Sequence, residues 1–178
     1  LGKSGLTVSG FAVGCMRISA RSHGELSRFI HTDLDCGVNF FDHADIYGGG
    51  ECEAAFGRVL KEEPGLRGQM VLQGKCGIRK GMYDFSKEHI LKSVDEILGR
   101  LNTDYLDVLL LHRPDALMEP EEVGEAFDRL EAAGKVKRFG VSNFNARQID
   151  LLQSGLRQKL VANQLQFGLL HTGMIDHA

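Results

Sequence analysis

The chain alternates between two hydrophobic periods. Short apolar runs at Val38 to Phe41, Met70 to Leu72, Leu106 to Leu111, Val136 to Val141 and Leu160 to Gln164 have the length of buried strands. Between them the apolar positions recur at helical spacing. Leu26, Phe29, Ile30 and Leu34 share one face, as do Cys52, Ala55, Phe56, Val59 and Leu60, while Ile90, Val94, Ile97, Leu98 and Leu101 form the cleanest stripe. Ser86 suits the N-cap of the third helix, and Pro120 followed by Glu121 and Glu122 suits the first turn of the fourth. Gly134 and Gly155 sit where helices should stop. In the Gly-rich opening, Leu6 to Val8 and Phe11 to Gly14 are expected to form a hairpin.

The strand starts recur every ~30 residues, the length of a strand, a helix and two loops. No linker or low-complexity stretch interrupts the rhythm, so residues 1–178 are expected to form one domain. Parallel strands joined by helices close as a doubly wound open sheet or as an eight-fold barrel. The G-x-G-x-x-G turn of the open dinucleotide-binding form is absent; Gly10, Gly14 and the run Gly48 to Gly50 do not match it. The expected fold is therefore α/β, a (β/α)8 TIM barrel. Such a barrel takes roughly 250 residues, about 31 per unit. The 178 residues then correspond to about five βα units plus a sixth strand, and a longer enzyme carrying the remaining units is expected.

Composition narrows the function. With 24 acidic against 21 basic side chains, there is no basic face for a phosphate backbone, and nucleic acid is not an expected partner. No stretch approaches the ~18 apolar residues that span a bilayer. The opening Leu1-Gly2-Lys3-Ser4 lacks the apolar core of a signal peptide, so a cytoplasmic location is expected. Cys15, Cys36, Cys52 and Cys76 lie far apart without metal-finger spacing, and are read as reduced core residues with no structural metal.

The informative feature is what ends each strand. The runs finish as Phe40-Phe41-Asp42, Val71-Leu72-Gln73-Gly74-Lys75, Leu109-Leu110-Leu111-His112, Gly140-Val141-Ser142-Asn143 and Ala162-Asn163-Gln164. In a parallel barrel those ends meet on the rim that carries the chemistry. Singly, an Asp after a strand is often a helix cap, a Lys is usually solvated and a His is commonly a core residue. Asn145 with Gln148 also reads as a capping box for the next helix, which gives Ser142 and Asn143 an ordinary explanation. A carboxylate, an amine, an imidazole and two amides at successive strand ends are harder to attribute to coincidence.

The series Phe41-Asp42-His43-Ala44-Asp45-Ile46-Tyr47-Gly48, Lys75 after 28 residues, His112 after 37 more, Gly140-Val141-Ser142-Asn143-Phe144 and Asn163-Gln164 resembles the aldo-keto reductases over the whole chain. The likeness is greatest to a bacterial oxidoreductase branch with Asp-His-Ala-Asp-Ile-Tyr and His-Arg-Pro-Asp, here Asp42 to Tyr47 and His112 to Asp115. Many relatives have Thr where this chain has His43. The resemblance implies a catalytic tetrad of Asp42, Tyr47, Lys75 and His112, with NADPH as cofactor and NADH left open. A hydride delivered to a carbonyl carbon leaves charge on the oxygen, which needs hydrogen-bond donors and a proton. A free phenol, with a pKa near ~10, is a feeble acid at neutral pH; an adjacent ammonium stabilises its phenolate. Tyr47 is thus the implied proton donor, Lys75 its ammonium, Asp42 the holder of Lys75 and His112 the group that positions the carbonyl.

Met16, Asp42, Ser142, Asn143 and Gln164 are the implied cofactor contacts. The residues that distinguish NADPH from NADH are implied to follow the seventh and eighth strands. Arg17, His43, Arg113 and Phe144 are candidates for the substrate pocket, although Phe144 also reads as packing and Arg113 as a salt-bridge partner of Asp115. The Gly48 to Gly50 run reads as a turn beside Tyr47 in preference to a phosphate cradle. The expected partner is a small carbonyl compound, and oligomeric state is left open. Two other classes fit the same residues: a cofactor-binding regulatory subunit like the potassium-channel beta subunits, and a metal-dependent hydrolase using Asp42, His43, Asp45 and His112. Against the second, Lys75 would oppose a cation at that mouth.

Overall fold

In the computed structural model, which describes residues 1–176, each apolar run becomes a strand and each amphipathic stretch the helix that follows it. The strands are β1 (Ala12–Gly14), β2 (Phe40–Asp42), β3 (Val71–Cys76), β4 (Ile78–Arg79), β5 (Met82–Tyr83), β6 (Leu106–Leu111), β7 (Val136–Ser142) and β8 (Leu160–Gln164). The helices are α1 (His23–Asp35), α2 (Glu51–Glu62), α3 (Lys87–Leu101), α4 (Pro120–Ala132), α5 (Ala146–Ser154) and the short α6 (Gly173–Asp176). Six strands form one sheet in the order β1-β2-β3-β6-β7-β8, with every neighbouring pair parallel. This is part of the wall of a (β/α)8 barrel.

A single contact shows how strongly the sheet curls. Gln164 at the end of β8 donates to Asp42 Oδ2 at the end of β2, at 3.1 Å. Four strand spacings of ~4.8 Å would hold these ends ~19 Å apart in a flat sheet. The strands have therefore rolled until their C-terminal ends share one mouth.

Alternation along the strands sorts the side chains between two faces. Phe41, Leu72, Leu109, Leu111, Phe139 and Val141 join the helix residues Ile30, Phe56, Val94, Ile97 and Phe127 in one core cluster. The other face carries Phe40, Asp42, Gln73, Lys75, Val108 and Leu110, all buried. Small residues set the helix spacing: a Cβ on Gly57 would lie 2.0 Å from the Arg100 carbonyl oxygen, and one on Gly124 would lie 2.2 Å from that of Gly155. Ser86 caps α3 through the His89 N–H, and Asn145 with Gln148 forms the capping box of α5.

Several expectations change. The N-terminal hairpin is absent among the described residues: Ala12–Gly14 runs parallel to β2, while the opening residues fold on themselves, with the Leu1 amine and the Ser4 side chain bonding inside the turn. β2 starts two residues late because Val38 N–H still bonds the Asp33 carbonyl and Asn39 is tied to Ser9. β3 runs on to Cys76, since Gln73 and Lys75 continue it with buried polar side chains. An unexpected hairpin, β4 and β5, follows it. Gly155 ends α5 without a left-handed turn, at φ −94; what needs glycine there is Pro120, whose carbonyl carbon would be 2.4 Å from a Cβ. Cys36 is exposed, whereas the other three cysteines are buried and free. Among the described residues no helix is long and apolar enough to cross a membrane.

Candidate active site

The backbone ladder continues past the strand ends and fixes the mouth. His43 N–H bonds the Gln73 carbonyl, Asp45 that of Lys75, His112 that of Cys76 and Asn143 that of Gln164, all within 2.8–3.1 Å. Each polar residue at the rim is thereby held by the neighbouring strand instead of hanging from a free loop.

Lys75 lies at the centre. Its Nζ donates to Asp42 Oδ1 at 2.5 Å, to the His43 carbonyl at 3.1 Å and to the Tyr47 hydroxyl at 3.2 Å. An ammonium has three protons to give, and these three acceptors use them all. Asp42 also accepts from Gln73 Nε2 at 2.6 Å and from Gln164. The His112 ring stands edge-on to Tyr47, with centroids 6.2 Å apart. The four residues of the expected tetrad are thus brought together.

Burial, reinforced by the charges of Lys75 and Arg113, pushes the His112 imidazole down to about 4. At neutral pH it is uncharged and carries one ring N–H. Its Nδ1 is buried without a hydrogen-bond partner among the described residues.

The amide residues gather beside it. Ser142 Oγ donates to the Gln164 carbonyl at 3.0 Å, and Asn143 Nδ2 donates to Ser142 Oγ at 2.8 Å and to the His112 carbonyl at 3.5 Å. Asn143 adopts φ 63, a left-handed conformation that asparagine tolerates better than most residues. Asn163 braces the same loop, donating to the Phe144 carbonyl and accepting from its N–H.

Two pocket candidates face elsewhere. His43 is wholly buried with its ring edge-on to Phe56 of α2, because adjacent strand residues point to opposite faces. Phe144 is buried and stacked on Phe85, its ring centroid 6.2 Å away, so it supports the loop and does not line the mouth. Arg113 makes no salt bridge to Asp115, whose carboxylate instead accepts from the Phe85 and Leu117 N–H groups. Met16 and Arg17 stand exposed on the turn after β1, and neither side chain joins the hydrogen bonds of the tetrad. Gln73 enters the site without having been a candidate; its signal was its place two residues before Lys75, on the same strand face.

The aldo/keto reductase family model matches residues 12–178. The chain belongs to this family. Among curated relatives, the oxidoreductase YcsN of Bacillus subtilis is 50% identical over 155 residues, covering 82% of this chain and 52% of its own length. The oxidoreductase YdhF of Escherichia coli is 46% identical over 180 residues, covering 94% and 59%. The holo form of an aldo-keto reductase from Bacillus halodurans superposes with a TM-score of 0.80 at 31% identity, covering 94% of this chain and 56% of that one. The chain therefore spans between half and three-fifths of the length of these relatives.

Proposed function

We propose that this aldo/keto reductase reduces aldehydes or ketones to alcohols with a hydride from NADPH, Tyr47 supplying the proton. The observation that carries the reading is Lys75, held between the Asp42 carboxylate and the Tyr47 hydroxyl at 2.5 and 3.2 Å.

The donor set suits a nicotinamide. Its carboxamide needs both donors and acceptors, and Ser142, Asn143 and Gln164 offer a hydroxyl and two amides at neighbouring strand ends. These residues would hold the ring; the choice of NADPH over NADH rests on the family likeness. The chemistry such a cofactor supplies when bound is a hydride for the carbonyl carbon. The chain's own residues handle the oxygen. Neutral His112 offers an N–H to the carbonyl oxygen and so orients it. The Tyr47 proton passes to that oxygen, and the Lys75 ammonium stabilises the phenolate left behind. Asp42 keeps Lys75 aimed, with Gln73 and Gln164 fixing the carboxylate.

Replacing Tyr47 by Phe tests the assignment. Turnover of an activated aldehyde should vanish while binding of reduced nicotinamide cofactor stays nearly unchanged. A parent protein that binds the cofactor yet reduces none of a broad carbonyl panel would favour a regulatory subunit. Activity lost to a chelator and restored by zinc would sink the reductase reading.

A further inference from the structure

Tyr47 sits on an intrinsically loose stretch of chain. Gly48, Gly49 and Gly50 follow it with φ of 59, 64 and 96, and glycine restrains its own backbone least of all residues. α2 then begins with no side-chain cap on its first N–H groups. Within the segment only short backbone turns hold Tyr47, its N–H bonding the Ala44 carbonyl at 3.0 Å and the Gly49 N–H that of Ile46 at 3.1 Å.

Arg100, from the last turn of α3, lies across it. Its Nε donates to Glu53 Oε2 at 2.7 Å. Its Cδ and Nε cover Gly50 so closely that a Cβ there would stand 2.9 and 3.1 Å from them. The Gly57 crossing presses α2 against the backbone of the same arginine. Both the main chain and the side chain of Arg100 thus bear on the helix that follows Tyr47.

The Glu53 end of this contact is not a surface ion pair, which would be worth little. Glu53 is wholly buried, and its Oε1 has no hydrogen-bond partner among the described residues. Arg100 is therefore the group that compensates a buried carboxyl, and releasing it would leave that carboxyl unsatisfied. On the other side of Tyr47, the Asp45 N–H is bonded to the Lys75 carbonyl at 3.1 Å. The segment from Asp45 to Glu53 is anchored to β3 at one end and to Arg100 at the other, with the tyrosine between.

We propose that Arg100 is a positioning residue for Tyr47: by gripping Glu53 and covering Gly50 it holds the left-handed glycine turn in the conformation that sets the Tyr47 hydroxyl against Lys75. The consequence for rate rests on the reductase reading; the consequence for the position of the tyrosine does not.

The test uses the full-length protein with 3-fluorotyrosine placed at position 47 or, as a control, at position 105. In Arg100→Met the fluorine signal at 47 should shift and broaden while that at 105 stays fixed. For the unlabelled variant, kcat with an activated aldehyde should fall about 10- to 100-fold, the scale of a small misplacement of a reacting group. KM and cofactor affinity should stay within about threefold, and Arg100→Lys, which keeps a cation near Glu53, should recover part of the loss. An unchanged signal at 47 overturns the proposal, and so do equal changes at 47 and 105, which would mean general loosening. If Arg100→Met does not fold, Arg100→Lys is read by the same standard. A parent without turnover refutes the reductase reading, and the fluorine result still decides the role of Arg100.

Discussion

Lys75 Nζ lies 2.5 Å from Asp42 Oδ1, with the two side chains only 2% and 9% exposed. A buried pair that loses one partner typically costs about 3–5 kcal/mol, because the remaining charge is left without solvent or counter-ion. Here Asp42 retains two amide donors, Gln73 and Gln164. Lys75→Met should therefore destabilise the fold by no more than about 3 kcal/mol, while turnover falls at least ~100-fold for want of the ammonium beside Tyr47. Urea unfolding and steady-state kinetics read the two effects separately. Full activity near neutral pH would refute the role given to Lys75.

Gln164 links the carboxylate of the tetrad to the hydroxyl and amide proposed above to hold the nicotinamide. Its side chain donates to Asp42, and its carbonyl accepts from Ser142 Oγ and from the Asn143 N–H. Gln164→Leu removes only the side-chain contacts. We expect a stability loss of about 1 kcal/mol, the net worth of one hydrogen bond, and about tenfold weaker binding of reduced cofactor, equivalent to ~1.4 kcal/mol. Calorimetric titration measures it. Unchanged affinity would remove Gln164 from the cofactor contacts.

Two glycines forty-two residues apart in sequence order should respond oppositely to one methyl group. At Gly57 a Cβ would meet the Arg100 carbonyl oxygen at 2.0 Å, and the obstacle is backbone that cannot rotate aside. Gly57→Ala should cost about 3 kcal/mol, the upper end of overpacking penalties. For Gly99, exposed on α3, no atom of the described residues lies within 4 Å of the added one beyond its chain neighbours and the helix's own backbone. Gly99→Ala should stabilise by up to about 1 kcal/mol through helix propensity alone. Denaturant midpoints of the two variants give the comparison, and similar values would contradict the close helix crossing.

The strand ends were legible because apolar runs of strand length stop abruptly at polar residues, and a parallel barrel has only one place to put such ends. Asp42, Lys75, His112 and Ser142 follow from that reasoning. The two-residue strand period separates Asp42 from its neighbour His43 and joins Gln73 to Lys75, so both corrections lie within reach of the pattern. Other features depend on tertiary contact alone. Glu53 and Arg100 are 47 residues apart, and each reads as an ordinary helix-surface charge until Gly57 brings the helices together. The β4–β5 hairpin is too short to carry a period, and the stacking of Phe85 on Phe144 joins loops that no local signal connects.

Two buried titratable groups, His43 and Glu53, and two half-buried ones, His112 and Asp45, give the fold opposing pH dependences. Burial lowers His43 to about 3, with Lys75 adding to the effect, and His112 to about 4, against an ordinary 6.5. Their neutral forms are favoured in the folded state, so their contribution is fully present above about pH 6.5 and is lost as pH falls through 4 and 3. Burial raises Asp45 from 3.8 to about 6 and Glu53 from 4.5 to about 7, despite the opposing pull of Arg100. Their contribution is present below about pH 4 and is lost as pH rises through 6 and 7. Stability should change little between pH 4.5 and 6.5, where the two pairs oppose each other, and should fall steeply in stronger acid. Single variants separate the terms. Neither His43 nitrogen has a hydrogen-bond partner among the described residues, so His43→Leu removes no hydrogen bond there and should flatten the acid limb by about 3 kcal/mol between pH 6.5 and 3.5. Glu53→Gln keeps an acceptor for Arg100 while removing the ionisation, and should gain ~1 to 2 kcal/mol relative to the parent on going from pH 5 to pH 8. Urea midpoints across this range test both, and variant curves that run parallel to the parent would show that neither group titrates as its burial requires.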